Sequence, residues 1–138
     1  MLVATKNVLV VDDDEDCRII AQRILTRAGY TVDTACDGAE GLQKAQARQF
    51  DLILLDVMMP KLDGFEVCAR IRREKPNADT PVVMVTALDS MSDQAKATES
   101  GAQWMVNKPY DSRYLVSVAD HRIAPSDASL NARQDRGG

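Results

Sequence analysis

Three uninterrupted apolar runs, Val8–Val11, Leu52–Leu55 and Val82–Val85, stand out along the chain. Runs of this kind, rich in Val, Ile and Leu, predict strands covered on both faces, the central strands of a parallel sheet. Thr31–Ala35 instead alternates polar and apolar positions, and Trp104–Val106 is short and runs into polar Asn107. Both predict strands at the sheet edges. Between the strands the period changes. Ala21, Ile24, Leu25 and Ala28 follow the helical spacing i, i+3, i+4, i+7, and Phe65, Cys68 and Ile71 form a shorter stripe.

Punctuation supports the helices. Asp37-Gly-Ala-Glu40 and Asp63-Gly-Phe-Glu66 each place a side-chain acceptor at an N-cap with Glu three residues on, a relative of the capping box. Gly29 is placed to end the first helix. The segment from Ser90 to Ser100 has the poorest apolar face, only Met91, Ala95 and a few small residues, which predicts a loosely held helix. Alternating β and α units with right-handed crossovers predict an α/β fold, a flavodoxin-like, doubly wound, five-stranded parallel sheet in the order 2-1-3-4-5 with helices on both faces. The domain is expected over residues 1–122. Residues 123–138 shift to Ala, Ser, Asp, Asn, Arg and Gly, with Ile123 and Leu130 their only large aliphatics, and read as a flexible tail or severed linker.

Composition narrows the function. The 138 residues suit one domain with a single core. A formal net charge of −4 disfavours direct binding to nucleic acid or to an anionic membrane. No apolar run approaches a membrane span and Met1–Asn7 does not resemble a signal peptide, so a cytoplasmic location is expected. Cys17, Cys36 and Cys68 fit neither a disulfide framework nor a metal knuckle and read as small core residues. The single histidine, His121, reads as a surface residue at a helix end and leaves no nucleophile triad or multi-histidine metal site.

In an open α/β sheet, ligands bind outside the carboxyl ends of the strands. The polar residues collect there: Asp12, Asp13 and Asp14 after Val11, Asp56 after Leu55, Thr86 after Val85, and Asn107 and Lys108 after Val106. Carboxylates brought together in a partly dehydrated crevice repel unless a cation compensates. Mg²⁺, a hard ion held by one or two carboxylates and several waters, fits Asp13 and Asp56, with Asp12 acting through water. Lys108 adds a positive point charge and Thr86 a hydroxyl donor, so the crevice suits a phosphoryl group. Asp12 and Asp13 taken alone would be a solvated helix cap; Asp56 and Lys108 outweigh that reading. Asp14, Glu15 and Asp16 read as solvated first-turn charges, and Val57, Met58 and Met59 as a partly exposed lip.

These residues resemble the receiver domain of two-component response regulators over Lys6 to about Arg122. The likeness rests on Val10-Val11-Asp12-Asp13, on Leu54-Leu55-Asp56-Val57-Met58-Met59-Pro60 continuing to Asp63-Gly64, on Val85-Thr86-Ala87 and on Lys108-Pro109-Tyr110, in this order at strand ends. The resemblance implies that Asp56 accepts a phosphoryl group from the phosphohistidine of a sensor histidine kinase or histidine phosphotransfer protein. It further implies Mg²⁺ at Asp12, Asp13, Asp56 and the backbone carbonyl of Met58, charge neutralisation by Lys108, and Thr86 reporting phosphorylation to the helix 4, strand 5 and helix 5 face. A cis Lys108–Pro109 bond is expected. Such a module catalyses only its own modification and is otherwise no enzyme. It would act on an output domain or effector that the sequence does not name, and a phosphorylation-dependent dimer stays open.

The chain departs from the family pattern in places. Met105 stands where many receivers carry a Tyr or Phe switch. Trp104 beside it reads as either a partner surface or a ring half buried against the last helix. Met58 and Leu88 stand where family members tune dephosphorylation, and neither can orient an attacking water, which predicts a long-lived phosphoryl group. A slight likeness over Asp56–Cys68 and Thr86–Asp89 points to receivers joined to diguanylate cyclases. The enzymatic rival is a haloacid-dehalogenase-type phosphatase with Asp12 as nucleophile, which leaves Asp56 unexplained and has Asp16 where Thr or Val is wanted. A receiver-like module that never carries phosphate is disfavoured because the acceptor set is complete.

Overall fold

The computed structural model of the chain describes residues 5–87 and 91–123. The strands β1 (Asn7–Val11), β2 (Thr31–Ala35), β3 (Leu52–Asp56), β4 (Val82–Thr86) and β5 (Trp104–Asn107) alternate with helices α1 (Glu15–Arg27), α2 (Gly38–Ala47), α3 (Gly64–Arg73), α4 (Met91–Ser100) and α5 (Ser112–Arg122). The strands pair in parallel in the order β2-β1-β3-β4-β5, as the apolar runs predict. Burial follows the same logic. Every residue of β3 and β4 is buried, whereas Thr31 of β2 and Trp104 and Asn107 of β5 are exposed.

The pleat sorts the core into two layers. Leu9, Val11, Ile53, Leu55, Val82 and Met84 meet Ala45 of α2, Val67, Cys68 and Ile71 of α3 and Ala97 of α4. The alternate residues Val8, Val10, Leu52, Leu54, Val83, Val85 and Val106 meet Ala21 and Leu25 of α1 and Leu115, Val118 and Ala119 of α5. This is the period-two separation of a strand's two faces. Full burial of a Leu stabilises by roughly 1.5–3 kcal/mol, so truncating Leu25, which is wholly buried, would loosen α1 from the sheet.

Helix ends follow the sequence signals, with corrections. Gly29 has a φ of 103° beyond the C-cap Ala28, and the turn lets the Tyr30 N–H donate to the Leu25 carbonyl at 3.1 Å. Asp37 and Asp63 are N-caps, accepting from the N–H groups of Glu40 and Glu66 at 2.8 and 2.9 Å. Neither Glu reaches back to its own cap: Glu40 accepts from the Cys36 N–H at 2.7 Å, and Glu66 pairs with Arg70 at 3.0 Å. Asp14 is more than a solvated charge. It caps α1, taking the Asp16 and Cys17 N–H groups at 2.9 and 3.2 Å, which leaves Asp12 and Asp13 free for other chemistry.

Two burial expectations change. Of the cysteines only Cys68 is buried; Cys17 is half-buried and Cys36 is exposed just past the edge strand β2. Of the Val57–Met59 lip only Met58 is exposed, at 60%, because Val57 and Met59 turn into the core against α2 and α3. His121 is exposed on the last turn of α5, as expected. Ile123, the C-cap of α5, is buried in the α1–α5 layer, and residues 124–138 of the expected tail lie outside the described residues. Leu88 also lies outside them. Among the described residues no helix is long and apolar enough to cross a membrane.

Candidate functional site

The register explains the site. β1 and β3 are neighbours with Val11 opposite Leu55, so Asp12 and Asp56 emerge side by side at their carboxyl ends. Asp12, Asp56 and Lys108 continue the alternation of Val10, Leu54 and Val106, which face the α1–α5 layer. Thr86 continues the opposite set, Val82 and Met84, on the side of α2–α4, the side on which Met105 also packs. One layer of alternation therefore gathers the acids and the ammonium, and the other carries the hydroxyl and the switch-position methionine.

Carboxylate oxygens of Asp12, Asp13 and Asp56 lie within 4.8 Å of one another, Asp12 and Asp56 buried and Asp13 exposed. The Lys108 Nζ sits 2.9 Å from Asp12 Oδ2 and 3.5 Å from Asp56 Oδ1. Its backbone N–H donates to the Thr86 carbonyl at 2.8 Å, which ties the β5 exit to β4. The Lys108–Pro109 bond is cis, as is Lys75–Pro76, which the sequence had not suggested. Thr86 is fully buried at the end of β4. The sequence-expected residues Asp12, Asp13, Asp56 and Lys108 thus converge, Thr86 ends the neighbouring strand, and Met58 follows in the loop with its side chain in solvent.

Charge is incompletely compensated here. Burial, and then the negative charge of Asp12, push the Asp56 carboxyl up to about 7, with Lys108 pulling the other way. Burial works to lower the Lys108 ammonium, but the contact with Asp12 and the charges of Asp56 and Asp12 outweigh it, so it ends raised. Asp12 Oδ1 accepts the Asp14 N–H at 2.9 Å, while its buried Oδ2 has the Lys108 charge nearby but no hydrogen bond of acceptable angle. Three clustered carboxylates, two of them buried, with a single ammonium against them are the donor set of a hard divalent cation, and no soft ligand is among them. The residues fit Mg²⁺.

Sequence reasoning missed two contributors. Arg18, in the first turn of α1, donates from its guanidinium to the Asp12 carbonyl at 2.8 Å and holds the turn that carries the acids. Counting helical turns from the Asp14 cap would have placed it there. Gly64 lies against the Asp56 peptide, a close approach no sequence pattern reveals. Trp104 combines features of both sequence readings: its indole N–H donates to the Tyr114 hydroxyl of the last helix at 3.1 Å, and the Arg122 guanidinium stacks on its ring at 4.3 Å. It nonetheless keeps 43% of its surface exposed.

Comparison with known proteins agrees with this geometry. A family model described as response regulator receiver domain matches residues 8–120. The chain is 47% identical over 127 residues to the probable transcriptional regulator ycf27 of Cyanidium caldarium, covering 90% of this chain and 50% of that protein. Among solved structures it resembles the chemotaxis protein CheY4 of Vibrio cholerae, with a TM-score of 0.84 and 35% identity over 87% of this chain and all of that one. It also resembles a Burkholderia pseudomallei response regulator solved with a phosphorylated aspartic acid and a calcium ion, with a TM-score of 0.75 and 26% identity over 94% of this chain and 72% of that one. The chain spans about half the length of the curated relatives it matches. Those relatives are named as transcriptional regulators, and none of the three supports the likeness to receivers joined to diguanylate cyclases. With sheet order, acid pocket, family model and relatives in agreement, the chain belongs to the response regulator receiver domain family, the aspartate-phosphorylated module of two-component systems.

Proposed function

We propose that Asp56 is the phosphoacceptor, that Asp12, Asp13, Asp56 and the Met58 carbonyl hold Mg²⁺, and that Lys108 and Thr86 bind the transferred group. The carrying observation is the buried Asp56 carboxylate, 3.5 Å from the Lys108 ammonium and clustered with two further acids. An Asp56 oxygen attacks phosphorus of a phosphohistidine donor, the O–P bond forms, the N–P bond breaks, and the imidazole leaves with the electron pair. Lys108 neutralises charge on the equatorial oxygens, and Mg²⁺ when bound adds electrostatic stabilisation of the same oxygens. Asp12 is a poor rival nucleophile because it is 1% exposed and already engaged by Lys108 at 2.9 Å and by the Asp14 N–H. The phosphorylated aspartic acid and cation in the Burkholderia relative support this reading.

Phosphorylation then draws Thr86 toward the added oxygens and alters the surface made by α4, β5 and α5, changing the affinity for an output domain or effector. The donor is a sensor histidine kinase or a histidine phosphotransfer protein, the chain modifies only itself, and the receiver proper extends one residue past the expected boundary at 122, through the buried Ile123. The names of the relatives favour an output in transcription; the acidic receiver itself carries no direct contact to nucleic acid. The test is incubation with acetyl phosphate and Mg²⁺ followed by intact mass and peptide mapping. The adduct is expected on Asp56. Its appearance on Asp12 would favour the phosphatase reading, and no adduct would favour a module that never carries phosphate. With Met58 exposed and unable to orient water, the adduct is expected to outlast donor removal by minutes at neutral pH with Mg²⁺, and loss within seconds contradicts this.

A further inference from the structure

We infer that Gly64 is a positioning residue for phosphoryl transfer: the absence of a side chain there lets the first turn of α3 lie directly behind the Asp56–Val57 peptide and set where the acceptor carboxylate stands. This rests on Asp56 being the acceptor. A Cβ on Gly64 would overlap the Asp56 carbonyl oxygen and come 3.0 Å from both the Asp56 carbonyl carbon and the Val57 Cα. All three obstacles are backbone atoms, which no rotamer change can clear.

The position explains why this peptide needs a support. β1 pairs with β3 only as far as Val11 opposite Leu55, so at Asp56 the strand has lost its neighbour on that side. On the other side the Val57 N–H donates to the Val85 carbonyl at 2.9 Å, and the Gly64 N–H donates to the Val57 carbonyl at 2.9 Å. The Asp56–Val57 unit is thus clasped between β4 and the start of α3. α3 itself is fixed by the buried Val67, Cys68 and Ile71 and by the Asp63 cap. An added methyl group at position 64 therefore displaces the strand end rather than the helix. Asp12 and Lys108 ride on β1 and β5 and do not follow, so the displacement changes the 3.5 Å Lys108–Asp56 contact and the three-carboxylate cluster. In-line transfer and an octahedral Mg²⁺ shell both tolerate little such error; misplacement of about 1 Å can cost about 100-fold in rate.

Gly29 supplies the control. Its φ of 103° strains any side chain, while nothing lies within 4 Å of a Cβ there, so alanine destabilises the fold without touching α3 or the acceptor peptide. Maximal rate and half-saturating acetyl phosphate are measured for the unaltered chain, Gly64→Ala, Gly29→Ala and Asp56→Asn, with Mg²⁺ affinity followed by Trp104 fluorescence and folding by thermal melts. Gly64→Ala is expected to lose roughly ten- to 100-fold in maximal rate and to weaken Mg²⁺ binding, with half-saturation changed far less. Gly29→Ala is expected to melt lower and to keep its rate within about threefold. A full rate in Gly64→Ala, or equal losses in both glycine variants, overturns the inference. If Gly64→Ala does not fold, Asp63→Ala loosens the same helix end without adding an atom; a several-fold lower maximal rate supports the inference and an unchanged rate overturns it. An adduct retained by Asp56→Asn is a separate outcome, which removes the acceptor assignment itself.

Discussion

The two ends of the sheet bury polar groups at similar depth and treat them in opposite ways. At the amino ends, Asn77, 1% exposed, accepts the Phe50 N–H at 2.8 Å and the Thr80 hydroxyl at 2.8 Å. It donates to the carbonyls of Ala45 and, at 2.8 Å, Arg48. Arg72 completes the set, donating to the carbonyls of Gly101, Asn77 and Ala78 and to Gln103 at 3.0–3.2 Å, while Gln103 accepts the Val82 N–H at 2.7 Å. At the carboxyl ends, Asp12 Oδ2 has no well-angled hydrogen bond and the Asp56 carboxyl is pushed up by burial and by Asp12. A satisfied polar network rigidifies, whereas an unsatisfied one retains affinity for whatever completes it. The amino end is scaffold. The carboxyl end instead holds three clustered carboxylates against a single ammonium, the site proposed for a cation and a phosphoryl group.

The comparison breaks most sharply at Asp56. Asp56→Asn should reduce the acetyl phosphate adduct by roughly a thousand-fold or more, read by intact mass, because it removes the proposed nucleophile. Its thermal midpoint without metal should hold or rise, since a buried, poorly compensated acid has been removed. Lys108→Met comes next. It removes the ammonium from two buried carboxylates, and a fall of roughly 100- to 1,000-fold in maximal rate is expected, with half-saturating donor little changed. In urea melts with EDTA this variant should lose about 1–3 kcal/mol, part of which Mg²⁺ restores by binding the acids. An unaltered rate would take Lys108 out of the transfer step.

At the opposite end the pattern should reverse. Asn77→Ala strands the Phe50 N–H and two carbonyls, while the Thr80 hydroxyl keeps the Phe50 carbonyl at 3.1 Å, and about 2–4 kcal/mol of stability should be lost in urea melts. The phosphorylation rate of the folded fraction should stay within about twofold. A large rate loss would mean that the amino-end network also sets the acceptor geometry.

The smallest effect belongs to the edge pair of Asp33 with Lys44 at 3.0 Å. Burial works to raise the Asp33 carboxyl, but the Lys44 hydrogen bond, the Thr34 N–H and the Lys44 and Arg48 charges leave it below its ordinary value. A carboxyl depressed in the folded state adds stability above the unfolded pKa of about 3.9, and that stability is lost as pH falls through the folded value. With the side chains a third exposed, Asp33→Asn should cost only a few tenths of a kcal/mol at pH 7. The difference from the unaltered chain should shrink in melts as pH falls below the unfolded value and vanish once it passes the lower folded one. A difference that persists there would point to packing rather than charge.

Much of this was legible in the amino-acid order. Continuous apolar runs identified β1, β3 and β4 because strands buried on both faces have no polar side, and the broken patterns of Thr31–Ala35 and Trp104–Val106 identified the edges for the converse reason. The acids and Lys108 were legible because each follows a strand whose direction the fold determines. Less was legible where distance along the chain conceals contact. That Asp14 rather than Asp12 or Asp13 caps α1 depends on which residue leaves the helical φ/ψ region first. Met58 is exposed between two buried neighbours because the loop turns once after β3, a path no local pattern encodes.

By itself, the sequence determined the α/β architecture, its strand order and the set of residues at the carboxyl ends, because those follow from period, run length and the handedness of crossovers. Tertiary structure alone decided the quantities that make the set chemical. These are the 2.9 and 3.5 Å reach of Lys108 to two acids from other strands, the gathering of three carboxylates within 4.8 Å, and the backbone contact of Gly64 behind Asp56. Each depends on ångström-level placement between segments 44 or more residues apart, or on helix against strand end, and such placement is set by packing of the whole core rather than by any local run of residues.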